Sequence, residues 1–263
     1  MKIKLRSMYD SFPEKYGDSD SQINFYVDNN VYYMDNTDRN EHNAIALLVE
    51  PRSIIPGTYQ WMSENYNKFH YVFTFDSRLL RELPNAKLLL YGQITAEFPS
   101  DLKTKDISMV ASNKDMCEGH RNRQIIAREL INKIDTYGTF SGGSYCDDDA
   151  FLKEYRFNVA MENYADGFYF TEKICNCLAS RVVPIYWGCP NIGQFFDMDG
   201  IIYCQTHAEI IEAVDMVLKD PAGEYSKRSL AIERNLQNVQ KYRRYADWFL
   251  KQYGAMLEEM VNE

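Results

Sequence analysis

Between Tyr155 and Phe196 the chain reads YRFNVAMENYADGFYFTEKICNCLASRVVPIYWGCPNIGQFF. An apolar run at 157–161 ends in Glu162-Asn163, and a polar loop follows at 164–169. A helix then opens at Thr171, a residue suited to cap it, with Glu172 and Lys173 in the first turn. A helix start presents unsatisfied backbone N–H groups and partial positive charge, and therefore attracts phosphate. Lys173 adds a full charge beside it, and Glu172 can accept hydrogen bonds from paired hydroxyls such as those of a ribose. Together these residues have the chemistry of a nucleotide-diphosphate cradle. They also admit a plainer reading. An acidic residue in the first turn complements the helix dipole, and a lysine there is often solvated, so spacing alone leaves both readings open.

Positioning that segment takes alternating strands and helices. Apolar runs of strand length alternate with helix-like segments throughout, the pattern of an α/β fold. In the first half the expected strands are 2–6, 23–27, 44–50, 71–75 and 87–91, with helices near 58–66 and 78–83. Residues 44–49 are nearly all apolar, which suits a strand buried on both faces of a parallel sheet. Residues 94–106 are polar, carry a proline and lack apolar periodicity, which puts a domain boundary there. The second half gives strands at 107–111, 135–140, 156–162, 182–187 and 201–204. Its helices are expected at 121–133, 171–180, 208–218 and 225–259, with a helical turn at 192–196. The implied architecture is two Rossmann-like α/β domains facing across a cleft. Residues 1–100 form the first domain, residues 107–240 the second, and a final helix at 241–263 packs back on the first. Ligands of such folds gather at the carboxyl ends of strands.

Composition narrows the function. The 263 residues are 45% hydrophobic and 25% charged, the balance of a folded globular chain. A net charge of −9 leaves no basic footprint for nucleic acid. No cationic amphipathic helix suggests a membrane surface, and no stretch approaches the ~20 apolar residues that cross a bilayer. The opening MKIKLRS reads as a charged first strand rather than a signal peptide. Cys117, Cys146, Cys175, Cys177, Cys189 and Cys204 match no disulfide scaffold, and Cys175 and Cys177 would point apart on a helix. They are read as reduced thiols in a cytoplasmic protein. Asp18-Ser19-Asp20, Asp147-Asp148-Asp149 and Asp197-Met198-Asp199 have the form of metal-holding acidic triplets. Such repeats are common in solvated loops, and none follows a strand where a metal-dependent single-domain enzyme needs it, so no metal ligand is expected. His42, His70, His120 and His207 are scattered; of these His120 alone lies close to the proposed cradle, where it is read as incidental rather than catalytic.

Three elements in order, Glu162-Asn163, Tyr169-Phe170-Thr171-Glu172-Lys173 and Val183-Pro184-Ile185-Tyr186-Trp187-Gly188, resemble the carboxyl-terminal signature of the glycosyltransferase family 10 fucosyltransferases. Tyr186-Trp187-Gly188-Cys189-Pro190 is most similar to the bacterial α-1,3 type. Upstream, Ala111-Ser112-Asn113 and Gly119-His120-Arg121-Asn122-Arg123 resemble the family's Ser-Asn element and the arginine that opens its next helix. In the family that arginine contacts the donor diphosphate. Counting back from Tyr137-Gly138 favours Arg123, with Arg121 second. A solvent-facing arginine at a helix start runs against the dipole preference, and an anion opposite accounts for it better. In the first domain, Ala46-Leu47-Leu48-Val49-Glu50-Pro51 is similar to the family's apolar strand ending in a catalytic carboxylate. Glu50 can also be read as a residue that merely ends a strand at the surface.

The resemblance implies a GT-B type fold and an inverting, metal-independent transfer of L-fucose from GDP-fucose to a hydroxyl of a glycan acceptor. Glu50 is then the base that takes the acceptor proton, and burial should raise its pKa. Arg123, or Arg121, would stabilise the departing diphosphate together with Lys173 and the amides at Thr171, in place of a divalent ion. Glu172 would hold the ribose hydroxyls, and Glu162, Asn163 and Tyr169 would line the donor pocket. No cofactor is implied beyond the donor itself. Residues 9–20 and 29–43, where the acceptor would bind, show no family pattern. Two other readings stay open: a transferase that uses a different nucleotide sugar, and a non-catalytic module that binds nucleotide sugars or glycans.

Overall fold

The structure is a computed structural model that describes residues 2–6, 22–34, 43–96 and 102–262. Residues 9–20 and 35–42 of the expected acceptor loops, and with them Asp18-Ser19-Asp20, lie outside the described residues. The chain divides into two compact units: Met1–Tyr91 with Arg244–Glu263, and Gly92–Arg243.

The first unit is built on five parallel strands, β1 (Lys2–Arg6), β2 (Gln22–Val27), β3 (Ala44–Leu48), β4 (Tyr71–Thr74) and β5 (Ala86–Leu88). They lie in sequence order across the sheet. Parallel crossovers are right-handed, so in a strictly sequential order the described connections share one face. That face carries a 3-10 helix at Asp28–Met34, where the sequence suggested only loop, followed by α1 (Pro56–Asn65) and α2 (Ser77–Glu82). Tyr26, Ala46, Leu48 and Val72 pack there with Val31, Met34, Tyr59, Met62 and Leu79. Strand alternation turns Phe25 and Phe73 to the opposite face, which the crossovers cannot cover. The C-terminal helix, Tyr245–Asn262, covers it instead. Phe249 meets Phe25 and Phe73 edge-on, with ring centroids 6.0 and 5.0 Å apart, and the Tyr253 hydroxyl donates to the Leu88 carbonyl. With both faces covered, β3 is buried along its whole length.

The second unit contains β6 (Lys105–Val110), α3 (Glu118–Leu130), β7 (Asp135–Tyr137), β8 (Tyr155–Met161), α4 (Glu172–Ala179), β9 (Val183–Trp187), β10 (Ile202–Tyr203) and α5 (His207–Val217). Its strands are parallel in the order β10-β9-β8-β6-β7. The chain steps from β6 outward to β7, then returns to the other side of β6 to lay down β8, β9 and β10. The order therefore reverses between β6 and β8. At such a point the connections leave toward opposite faces and open a crevice at the strands' carboxyl ends. Ile107, Met109, Phe157, Val159, Val183 and Ile185 form the core of the sheet with Ile126, Leu130, Ile210 and Val214 from the helices.

The continuous helix expected over 225–259 is three helices: α6 (Pro221–Ser226), α7 (Ser229–Val239) and the C-terminal helix. The buried face changes partner. α7 buries Ala231, Ile232, Asn235 and Val239 in the second unit, and the C-terminal helix buries Tyr245, Phe249, Leu257 and Met260 in the first. A 3-10 turn at Gln240–Tyr242 separates the two helices. Among the described residues no helix is long and apolar enough to cross a membrane.

Candidate active site

Glu162 is the first residue past β8, and it is fully buried. Its Oε1 accepts the Thr171 amide at 2.9 Å and its Oε2 accepts the Thr171 hydroxyl at 2.7 Å, while the Tyr186 hydroxyl lies 3.5 Å from Oε1. Burial pushes this carboxyl above its ordinary value. A Cβ on Gly188 would sit 2.5 Å from Glu162 Cγ, so only glycine leaves room for the side chain to pass. Glu162 thus ties the strand end to the start of α4. Thr171 caps α4, its hydroxyl oxygen accepting from the Lys173 amide at 3.4 Å.

The Lys173 ammonium stands 2.8 Å from Glu172 Oε1, 3.1 Å from Thr171 Oγ1 and 3.7 Å from Glu162 Oε2. Burial would lower its pKa, but the Glu172 and Glu162 carboxylates outweigh burial and hold it above the ordinary value. Burial likewise pushes Glu172 up, and the Lys173 charge and hydrogen bonds more than reverse that. Both side chains stay ionised at neutral pH.

Arg123 approaches from α3 and is 9% exposed. Its Nε donates to the Met161 carbonyl at 3.1 Å, and an Nη donates to Asn163 Oδ1 at 2.5 Å. Both acceptors are neutral, and no carboxylate among the described residues forms an ion pair with it. Burial lowers its pKa, with Glu162 and Glu172 acting in the opposite direction. A buried guanidinium without a counter-ion is costly unless an anion comes to meet it. The close approach of α3 depends on Gly119, where a Cβ would lie 2.2 Å from the Asn163 carbonyl oxygen. Arg121 is turned the other way. Its side chain is 54% exposed and pairs with Asp115 at 2.8 Å. Of the two arginines suggested by sequence, Arg123 is the one brought to Glu172 and Lys173.

Arg123, Glu172, Lys173 and Asn176 line a pocket walled by Val110, Phe151 and residues 158–161. It therefore lies at the carboxyl ends of β6 and β8, where the strand order reverses. Tyr169 does not line this pocket; it is buried, its ring edge-on to Tyr164 with centroids 6.4 Å apart. Sequence singles out neither Asn176 nor Asn158, and it reads His120, near the donor segment, as incidental. Asn176 lies one turn past Glu172, and its Oδ1 accepts the Thr95 and Ala96 amides at 2.8 and 3.1 Å. Its signal was a polar side chain on the same helix face as Glu172. Asn158 was marked by being the one polar residue in the apolar run 157–161, and it donates to Ser108 Oγ at 2.9 Å. His120 precedes Arg123 by three residues, and its Nδ1 accepts the Met116 amide at 3.2 Å. Burial, then the charges of Arg123, Lys114 and Lys173, lower its pKa to about 4.

Glu50 belongs to the first unit, two residues past β3, and is half-buried. The Tyr59 hydroxyl donates to its carbonyl at 2.9 Å. Of the acidic triplets, Asp197 caps a turn by accepting the Asp199 amide at 3.0 Å and pairs with Arg234 at 2.5 Å. No group of three or more His, Cys, Asp or Glu side chains placed to hold a metal occurs among the described residues. All six cysteines are free.

The family model described as "Glycosyltransferase family 10 (fucosyltransferase) C-term" matches residues 100–259, well over half of the chain. The chain belongs to glycosyltransferase family 10. The pocket and the strand-to-helix staple both fall inside the family-matched region. One relative is alpha-(1,3)-fucosyltransferase FucT of Helicobacter pylori, 34% identical over 67 residues, which are 26% of this chain and 14% of that protein. Another is alpha-(1,3)-fucosyltransferase B of Drosophila melanogaster, 30% identical over 181 residues, covering 59% of this chain and 40% of that protein. The matches thus span less than half the length of these relatives. A crystal structure of an alpha1,3-fucosyltransferase with GDP aligns with a TM-score of 0.57 at 18% identity, covering 92% of this chain and 78% of that one. This likeness gives the family 10 chain a GT-B type α/β fold with parallel sheets.

Proposed function

We propose that the chain is an inverting, metal-independent fucosyltransferase that moves L-fucose from GDP-fucose to a hydroxyl of a glycan acceptor, with α-1,3 linkage. The observation that carries this reading is Arg123, a buried guanidinium whose hydrogen-bond acceptors among the described residues are neutral, set beside Lys173 and the start of α4 where the strand order reverses. A diphosphate supplies the missing anion. Family membership supports fucose, and the GDP in the related solved structure supports guanine. In the proposed reaction the acceptor oxygen attacks the anomeric carbon as the bond to the β-phosphate oxygen breaks, so a single displacement inverts that carbon. Glu50 takes the hydroxyl proton. Negative charge grows on the leaving phosphate, where Arg123, Lys173 and the α4 amides stabilise it in place of a divalent ion. Glu172 receives the ribose hydroxyls, and Asn163 and Tyr169 shape the donor pocket.

The test is turnover of GDP-fucose beside GDP-mannose and UDP-sugars, with and without EDTA. The reading expects GDP-fucose to be preferred and EDTA to leave the rate unchanged. Preference for another donor supports the alternative transferase, and loss of rate in EDTA removes the metal-independent mechanism. Glu50→Gln should keep GDP binding and abolish turnover. Retained turnover in that variant rejects Glu50 as the base.

A further inference from the structure

We propose that Asp28, whose carboxylate grips the backbone of Glu50 from the end of the neighbouring strand, is a positioning residue that orients Glu50 and sets its basicity. The inference rests on the reading of Glu50 as the base. Asp28 is the first residue past β2, and Glu50 follows β3, the strand paired with it. Asp28 Oδ1 accepts the Val49 amide at 2.9 Å and the Glu50 amide at 3.1 Å. The backbone turns there with φ of 49°, a left-handed conformation that Asp and Asn tolerate better than most residues. The residue is 5% exposed, and Oδ2 is buried with no hydrogen-bond partner.

The orphan oxygen is the informative part. A clamp on two amides needs one acceptor, and an asparagine offers one at the same position. A carboxylate instead leaves a second oxygen desolvated and unpartnered, which costs stability. Nor does any cation among the described residues form an ion pair with Asp28. From the segment after β3, Glu50 itself and Arg52 face this region, and Arg52 is held by Asp76 from the end of β4, at 3.0 Å from Nε and 2.9 Å from an Nη. From α1 comes Tyr59, bonded to the Glu50 carbonyl. Burial pushes the Asp28 carboxyl up to about 7, against the pull of the two amides, with the Glu50 charge adding to the rise. Such coupling is reciprocal, so an ionised Asp28 makes Glu50 the stronger base. Below about pH 7 Asp28 is neutral. Above it the second charge favours proton transfer to Glu50.

The experiment uses the full chain and GDP release from GDP-fucose, with water as the acceptor, from pH 5.5 to 9. Asp28→Asn retains the amide clamp and cannot ionise. The expected result is an unchanged KM for GDP-fucose, with kcat close to wild type at low pH but roughly fivefold lower at pH 8. Asp28→Ala loses the clamp as well and should lower kcat at every pH; if it does not fold, Asp28→Asn still decides the question. A carbon-13 carboxyl NMR titration gives a readout independent of turnover: the Asp28 midpoint should fall in Glu50→Gln, which removes the neighbouring charge. If the Asp28→Asn profile superposes on wild type, or the Asp28 midpoint ignores Glu50→Gln, the inference fails while the base assignment stands. If Glu50→Gln keeps its turnover, the base assignment fails and takes the inference with it.

Discussion

Thr171 gives both of its donors, amide and hydroxyl, to the single buried carboxylate of Glu162, at 2.9 and 2.7 Å. This fixes where α4 begins, and so where its amides and Lys173 point. Glu162→Gln leaves only one end of the side chain able to accept, and it opposes an NH₂ to one Thr171 donor. We expect a loss of about 1–3 kcal/mol in stability, read by urea unfolding, together with weaker GDP binding by calorimetry. Wild-type values for both would show that the pairing does not shape the site.

The two arginines of α3 separate charge at the site from charge at the surface. Arg123→Ala should reduce kcat/KM for GDP-fucose by on the order of 10²–10³-fold, as for loss of one preorganised cation at a developing anion. Arg123→Lys should recover little, because a single ammonium cannot reach Met161, Asn163 and a phosphate together. Arg121→Ala should leave kinetics within about twofold, since its partner is an exposed Asp115. Equal effects at the two positions in steady-state assays would reject the assignment.

The helix start at Thr171-Glu172-Lys173 was legible because capping is local chemistry, settled within four residues. The parallel strands were legible for the same reason, as short apolar runs between turn signals. Arg123 and Arg121 were not separable, because two residues on a helix differ by about 200° in direction and only the fold says which face is inside. The final helix misled because a periodicity of 3.6 can continue across a change of partner, as it does between Val239 and Tyr245. Asp28 was invisible, since its bonds span 21 and 22 residues and depend on β2 pairing with β3.

Gly119 sets the distance between α3 and the loop after β8. A methyl group there would meet Asn163 backbone atoms at 2.2, 2.6 and 2.8 Å, and backbone cannot swing aside as a side chain can. Gly119→Ala should raise helix propensity and yet destabilise the protein by about 1–3 kcal/mol, while displacing Asn163 from Arg123 and weakening GDP binding. Thermal unfolding and GDP calorimetry decide it. A stabilised variant would show that the two segments are not held this close.

His120 gives the site a dependence on pH. Its folded pKa, lowered to about 4, lies below the ordinary 6.5, so the fold favours the neutral ring. The associated stability is full above pH 6.5 and is lost as pH falls through about 4, because the unfolded chain takes up the proton first. Allowing for solvent screening, the loss between pH 7 and 5 should be about 1 kcal/mol. His120→Gln cannot titrate and should flatten that part of the stability profile; an unchanged slope would assign the acid sensitivity elsewhere. The same charges make a second outcome testable. A diphosphate that neutralises Arg123 and Lys173 removes two of the causes of the low pKa, so the ring becomes easier to protonate. GDP itself releases a proton when its terminal phosphate, with a second pKa of about 6, meets two cations, so the uptake by His120 is read at pH 5 as the difference between wild type and His120→Gln in how the binding heat depends on buffer ionisation enthalpy. An equal dependence in the two proteins would contradict the placement of the diphosphate beside Arg123.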